Sequence, residues 1–291
     1  MGLNYFKKFI SVQILKNDNG IHTIFKDKNN LINFCPSRGG IITNWVINDY
    51  QILYFDQKRF LDKTKSIRGG VPILFPICGN LERKSLFGDN FLDLMQHGFA
   101  REQEWNFGFN QSKNTLCLTL SDNKETRKYY PYFFQIKIEI TFSIETLIFN
   151  IEIFNKSNTI MPVNFGLHPY FNISDFNNIE FLNYSKCCLN QKNNNLVKTE
   201  NLLRNSFKGI DLLMYSSGKT SFIDYGLKRK ITLTNPSPFD ISVIWSDPPR
   251  KMLCIEPWTS PRNSLENGFR KIEIMPNSSQ KLYTSILVEH L

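Results

Sequence analysis

The chain has 291 residues, 41% of them hydrophobic and 14% aromatic, which is enough for a sizeable core in one large β domain or two average ones. No apolar run approaches the roughly 20 residues of a membrane span. The short apolar piece after Lys7 and Lys8 lacks a small-residue cleavage site, so neither a membrane segment nor a signal peptide is expected. The net charge of +9 is scattered, densest at Lys228–Lys230, and comes without a helix-turn-helix, zinc-finger or RNA-binding signature, so a basic surface is expected rather than a nucleic-acid partner.

Val12–Leu15 and Ile21–Lys26 read as strands around a turn at Asn17–Gly20. Further strands are predicted at Leu31–Cys35, Ile41–Ile47 and Tyr50–Phe55, and the charged Asp56–Ser66 reads as a loop. The run from Arg68 to Pro76 places two glycines and two prolines among apolar residues, which fixes an unusual backbone path. Arg68 before Gly69 and Gly70 also reads as an anion clamp with exposed backbone N–H groups, with a simple turn as the alternative. A loop at Gly79–Asp93 leads to the run His97–Arg101, and strands follow at Trp105–Asn110 and Thr115–Ser121. The polar Asp122–Tyr130 has room for one helical turn.

The clearest strand pattern comes next. Phe134, Ile136, Ile138, Ile140, Phe142 and Ile144 alternate with polar residues, and Leu147, Phe149, Ile151 and Ile153 keep the same period of two. These runs predict an antiparallel pair with one buried face. In Asn164–Phe171, His168 stands before Pro169, whose ring fixes its own φ and biases the preceding residue to extended geometry, so the imidazole sits on a stiff backbone. Asn172–Lys208 reads as loops with short strands, and strands are predicted at Ile210–Tyr215, Lys219–Tyr225, Lys230–Thr234 and Asp240–Trp245. Met252–Ile255 is a short apolar run that delivers Glu256 at its end against Pro257 and Trp258, and Arg270–Met275 and Leu282–Val288 close the chain. Many short strands, no long amphipathic helix and no composition break predict an all-β, sandwich-like fold in one domain over residues 1–291.

Of the four histidines, His22 and His290 read as structural or exposed, and His97 and His168 as structural or catalytic. Glu256 follows an apolar run that would desolvate it and raise its pKa toward the range of a general base; a solvent-facing strand end is the alternative. The six cysteines (Cys35, Cys78, Cys117, Cys187, Cys188, Cys254) show no metal-ligand spacing, and Cys117 and Cys254 read as strand-core residues. The histidines lack cupin-like spacing, so no metal is expected, and the thiols fit a reducing cytoplasm.

Together, the run from Arg68 to Pro76, His97–Arg101 with Trp105, Gly166–Phe171, Asp211 with Tyr215, and Glu256–Trp258 resemble the aldose 1-epimerase (galactose mutarotase-like) superfamily, closest in look to its glucose-6-phosphate 1-epimerase branch. The resemblance implies a large, mostly antiparallel β-sandwich whose open cleft takes a pyranose and interconverts its α and β anomers through the open-chain sugar. It implies Glu256 as general base on the C1 hydroxyl and His168 as general acid on the ring oxygen. His97 would hydrogen-bond near that oxygen, and Asp211 would hold sugar hydroxyls. Trp258 would support the ring or pack beneath the glutamate, and Arg68 and Arg101 would line a phosphate end. The implied partner is a small-molecule sugar or sugar phosphate, with no cofactor and no membrane, and the chain is expected as a monomer or homodimer in the cytoplasm. The alternatives are a mutarotase of unphosphorylated aldoses and a non-catalytic carbohydrate-binding protein.

Overall fold

The computed structural model describes residues 14–82, 86–87, 91 and 93–291. Residues 12–13 of the predicted strand Val12–Leu15 and part of the predicted loop Gly79–Asp93 lie outside the described residues. The alternating runs form strands Phe134–Phe142 and Thr146–Asn155, paired antiparallel from Leu147 opposite Phe142 to Asn155 opposite Phe134. Phe134, Ile136, Ile138 and Ile140 are buried, while Lys137 and Glu139 form an ion pair on the outer face. Burying each such apolar side chain is worth about 1.5–3 kcal/mol relative to leaving it in water. Ile144, expected in the strand, falls in the turn instead.

This hairpin sits inside an eight-stranded sheet that also contains Thr115–Ser121 and Ser279–His290. In Thr115–Ser121 the period of two turns Leu116, Leu118 and Leu120 to the core. The same period places Cys117 on the opposite face, where it is half-exposed, so the reading of Cys117 as a core residue is corrected.

A second eight-stranded sheet holds Asp211–Tyr215, Ile241–Ser246 and Met252–Trp258 side by side, all antiparallel. Leu212, Met214, Ile244, Leu253 and Ile255 pack into one hydrophobic core with Ile136, Ile138 and Ile151 of the first sheet. The intervening residues Asp211, Val243, Trp245, Glu256 and Trp258 face the other way and line a cleft. The two sheets therefore make a sandwich, and the second carries a site on its outer face. Met252–Trp258 is buried along its whole length, so Glu256 lies inside a strand rather than at the end of one.

The expected loop at Asp56–Ser66 contains a short helix, Gln57–Leu61, capped by the Asp56 carboxylate accepting the Arg59 backbone N–H at 3.0 Å. Asp122–Tyr130 holds a single 3₁₀ turn, Thr126–Lys128. Asn172–Lys208 contains short strands at Ile179–Leu182, Cys187–Asn190 and Asn195–Lys198, then a helix at Thr199–Leu203. Among the described residues, no helix is long and apolar enough to cross a membrane.

Candidate active site

Two short strands, Gly166–Leu167 and Tyr170–Asn172, flank Met252–Trp258 on the same edge. Gly166 pairs with Trp258 and Tyr170 with Cys254, and this register sets His168 level with Glu256. Pro169 interrupts the two strands without leaving an N–H that needs a partner. The His168 backbone N–H donates to the Pro72 carbonyl at 3.0 Å. The His168 Nε2 consequently lies 3.4 Å from Glu256 Oε1.

Both side chains are walled in. His168 stacks on Tyr170 with ring centroids 4.4 Å apart and planes at 5°, and the Tyr170 hydroxyl is 3.4 Å from Nε2. Trp245 meets the His168 ring edge-on at 5.8 Å. Glu256 is 2% exposed, which removes the solvent-facing reading. Its Oε2 accepts the Trp258 indole N–H at 3.1 Å, so Trp258 holds the carboxylate and lines the cleft as well.

His97 enters from an unusual backbone. Its φ is +66°, in the left-handed region that non-glycine residues rarely occupy. The Gly79 N–H donates to His97 Nδ1 at 3.0 Å, and the His97 N–H donates to the Gly79 carbonyl at 2.8 Å. Gly98 follows with φ +70°, and a Cβ there would sit 2.1 Å from the Phe75 carbonyl oxygen. The His97 and His168 rings are 5.6 Å apart.

Arg68, Arg101, Asp211 and Trp258 line the same cleft of about 120 Å³ as His97, His168 and Glu256. All seven residues singled out from the sequence thus meet in one place. The Arg68–Gly70 clamp needs one correction. The Gly70 and Val71 N–H groups donate to the Tyr54 and Ile42 carbonyls, so the Arg68 side chain, not an exposed backbone, faces the cleft. The Arg68 guanidinium lies over the Trp245 ring at 5.3 Å. Arg101 donates through Nη2 to the Gln96 carbonyl at 2.9 Å, and its buried Nε has no protein partner.

Sequence reasoning did not find Arg262, although it stands only four residues beyond Trp258. Its Nη2 donates to Asp211 Oδ2 at 2.8 Å, and Gln191 Nε2 donates to Asp211 Oδ1 at 2.7 Å. Both Asp211 oxygens are thereby oriented, and each keeps a lone pair for a further donor. The cleft also gathers Trp245 and Gln96, which no motif marked.

The electrostatics follow from burial and from the arginines. Burial pushes the Glu256 carboxyl well above its ordinary 4.5, and nearby Asp211 adds to the shift, against the opposing Trp258 hydrogen bond, Arg262 and Arg68. Burial pushes His168 well below its ordinary 6.5, with His97, Arg68 and Arg101 acting in the same sense. His97 is lowered for the same reasons, burial first and then Arg101, Arg262 and Arg68. Burial thus favours the neutral form of each partner, the protonated carboxyl of Glu256 and the unprotonated imidazole of His168. The structure also brings Cys254 to this pair, since one donor atom each of His168, Cys254 and Glu256 lies within 4.8 Å of the other two.

Comparison with known proteins bears on the fold and the family. Residues 24–286 match the family model described as Aldose 1-epimerase. The Slr1438 protein of Synechocystis sp. PCC 6803 is 31% identical, its structure superimposes with a TM-score of 0.88, and the match covers 93% of this chain and 96% of that one. Proteins from Cenchrus ciliaris and Salmonella typhimurium, each named "Putative glucose-6-phosphate 1-epimerase", are 27% and 26% identical over 156 and 151 residues. Those alignments cover 48% and 49% of this chain and under half of each relative, 44% and 46%. With the family model spanning most of the sequence and an all-β sandwich matching solved mutarotase-like folds, the chain belongs to the aldose 1-epimerase family.

Proposed function

We propose that the protein is a mutarotase of hexose 6-phosphates, working in a reducing cytoplasm, with Glu256 and His168 as its proton-transfer pair. The observation that carries this reading is the 3.4 Å separation of His168 Nε2 and Glu256 Oε1 at the wall of one cleft. Glu256 takes the proton of the C1 hydroxyl as the bond from C1 to the ring oxygen breaks, and His168 delivers a proton to that oxygen. The open-chain aldehyde rotates about C1–C2, and the same two groups return the protons on closure. Each group contributes about 10²–10⁴-fold, so neither a covalent nucleophile nor a cofactor is required by the chemistry. His97 donates near the ring oxygen, and Asp211, held by Gln191 and Arg262, accepts sugar hydroxyls.

The phosphate end is supported by charge. Arg68 and Arg101 face the cleft, and a planar guanidinium fork suits phosphate oxygens. The same arginines help to keep His168 neutral. A dianion seated between them offsets that effect and so favours the protonated imidazole that the reaction needs, while Arg262, paired with Asp211, continues to favour the ionised form of Glu256. All six cysteines are unpaired, in keeping with a reducing compartment.

The test is polarimetry on freshly dissolved α-glucose 6-phosphate and α-glucose with catalytic amounts of protein. Accelerated equilibration, greater for the phosphorylated sugar, is expected. Thermal stabilisation by either sugar without any acceleration would replace the enzyme by a binding protein. Equal acceleration of both sugars would remove the phosphate preference.

A further inference from the structure

Behind the acid–base pair lies a side chain that the proposed reaction leaves idle. Cys254 shares the cleft-side face of strand Met252–Trp258 with Glu256, two residues before it. Cys254, His168 and Glu256 are 0%, 7% and 2% exposed, and one donor atom from each lies within 4.8 Å of the others. Their donors are not locked away. Trp258 engages only Oε2 of Glu256, which leaves Oε1 toward His168, the Tyr170 hydroxyl reaches His168 Nε2 only at a long 3.4 Å, and the Cys254 thiol makes a long contact of 3.9 Å to the Met252 sulfur.

A thiolate, an imidazole and a carboxylate form the mixed S/N/O set that zinc and related thiophilic ions accept; calcium and magnesium prefer oxygen alone. Metal–ligand bonds of about 2.0–2.3 Å in a tetrahedron put donor atoms about 3.3–3.8 Å apart. The His168–Glu256 separation of 3.4 Å already falls in that range. The thiol needs to close by about 1 Å at most, which a χ1 adjustment supplies. Because His168 and Glu256 line the cleft and Cys254 stands behind them, the open side of the triad faces the space where the sugar would sit.

One detail separates this site from a built-in metal centre. His168 Nδ1 is buried without a hydrogen-bond partner, whereas the second nitrogen of a resident metal-binding imidazole is almost always held by a carboxylate, carbonyl or water. The ion is therefore a visitor and not a cofactor. We propose that His168, Cys254 and Glu256 form a reversible inhibitory site for a thiophilic divalent cation of the zinc class. The cation removes both proton-transfer groups at once and competes with the sugar. Inhibition rests on the mutarotase reading above, but binding does not.

Two independent titrations test the proposal. In the first, zinc chloride is added to the mutarotation assay. The expected result is a saturable loss of activity that a chelator reverses and that higher sugar concentrations relieve. Cys254→Ser retains mutarotation but requires at least about tenfold more zinc, since even outer partners of a metal contribute 10–100-fold. Cys78→Ser, which alters another buried thiol near Glu256, responds to zinc like the wild type. In the second, cadmium is titrated against the chain and the ultraviolet thiolate-to-cadmium band is followed. The band should lose the contribution of one thiolate in Cys254→Ser and in Cys254→Ala, above a background from the exposed Cys187 that all three proteins share, and two variants cover the case in which one folds poorly. Equal zinc sensitivity in wild type and both Cys254 variants overturns the site, as does a cadmium band whose amplitude is unchanged without Cys254. Should the chain prove to lack mutarotase activity, the cadmium titration still decides the site by itself.

Discussion

Replacing Glu256 by glutamine keeps the side-chain shape and an acceptor for the Trp258 N–H but removes the charge. The wild-type carboxyl holds its proton in the folded state well above the ordinary 4.5, while the unfolded chain has already released it. The native state then binds more protons than the unfolded one, so stability falls as pH rises from 4.5 to the folded pKa, by about 1.4 kcal/mol per pH unit. His168 works in the opposite sense. Its folded pKa lies well below 6.5, so its contribution rises with pH and is complete once pH passes 6.5. His168 is present in both proteins, so its contribution cancels to first order when they are compared. The unfolding free energy of Glu256→Gln minus that of the wild type should therefore grow by up to about 1.4 kcal/mol per pH unit above 4.5, then level off once Glu256 ionises. Urea unfolding of both proteins across this range measures the gap, and polarimetry on the same samples should show a rate loss of about 10²–10⁴-fold. Parallel stability curves would refute the desolvated carboxyl, and retained mutarotation would refute its role as the base.

Four further outcomes are expected. The kcat/KM of the wild type, with the phosphate's own titration divided out, should follow a bell, because the reaction needs an ionised Glu256, which burial raises from 4.5, and a protonated His168, which burial lowers from 6.5; a pH-independent rate contradicts this. Trp258→Phe removes a hydrogen bond that favours the ionised carboxylate, so the limb that Glu256 sets should move up; an unmoved profile would show that the indole does not hold the charge. Arg68→Ala or Arg101→Ala should lower kcat/KM for α-glucose 6-phosphate by roughly 10–100-fold, the worth of a charged hydrogen bond of about 1.5–3 kcal/mol, and spare free glucose; equal losses remove the phosphate clamp. Gly98→Ala forces a side chain into a backbone with φ +70° and against the Phe75 carbonyl, so its urea midpoint and its rate should both drop, by at least about 1–2 kcal/mol in stability; an unchanged midpoint would show that the loop yields freely.

The parts of this molecule that were legible in the sequence are those written in short-range patterns. The alternation from Phe134 to Ile153 encodes the hairpin and its buried face, because side-chain direction in a strand depends only on neighbouring positions. The period of two in Leu116, Leu118 and Leu120 also excludes Cys117 from the core, a signal that was present and misread. Asp56 three residues before Arg59 is a capping pattern hidden by the charge of its surroundings. Pro169 and the apolar run before Glu256 hinted at a stiff imidazole and a desolvated carboxylate, but their level placement depends on strand register between distant segments. Arg262 and Gln191 reach Asp211 from two other elements, and no local pattern announces such a meeting. The triad with Cys254 was invisible for the same reason, since ligand spacing along the chain says nothing about strands paired across a sheet.

The reciprocal bonds between Gly79 and His97 make the second imidazole a fixed dipole. With a backbone N–H aimed at Nδ1, the neutral ring must carry its hydrogen on Nε2, and a second proton on Nδ1 would set donor against donor. His97 can therefore give a hydrogen bond to a guest but cannot accept a proton from one. Two rings of identical chemistry, 5.6 Å apart, are thus set apart by their surroundings, one with its Nδ1 held by a backbone N–H and the other with its Nδ1 unpartnered. An enzyme deprived of His168 would find no substitute in its neighbour.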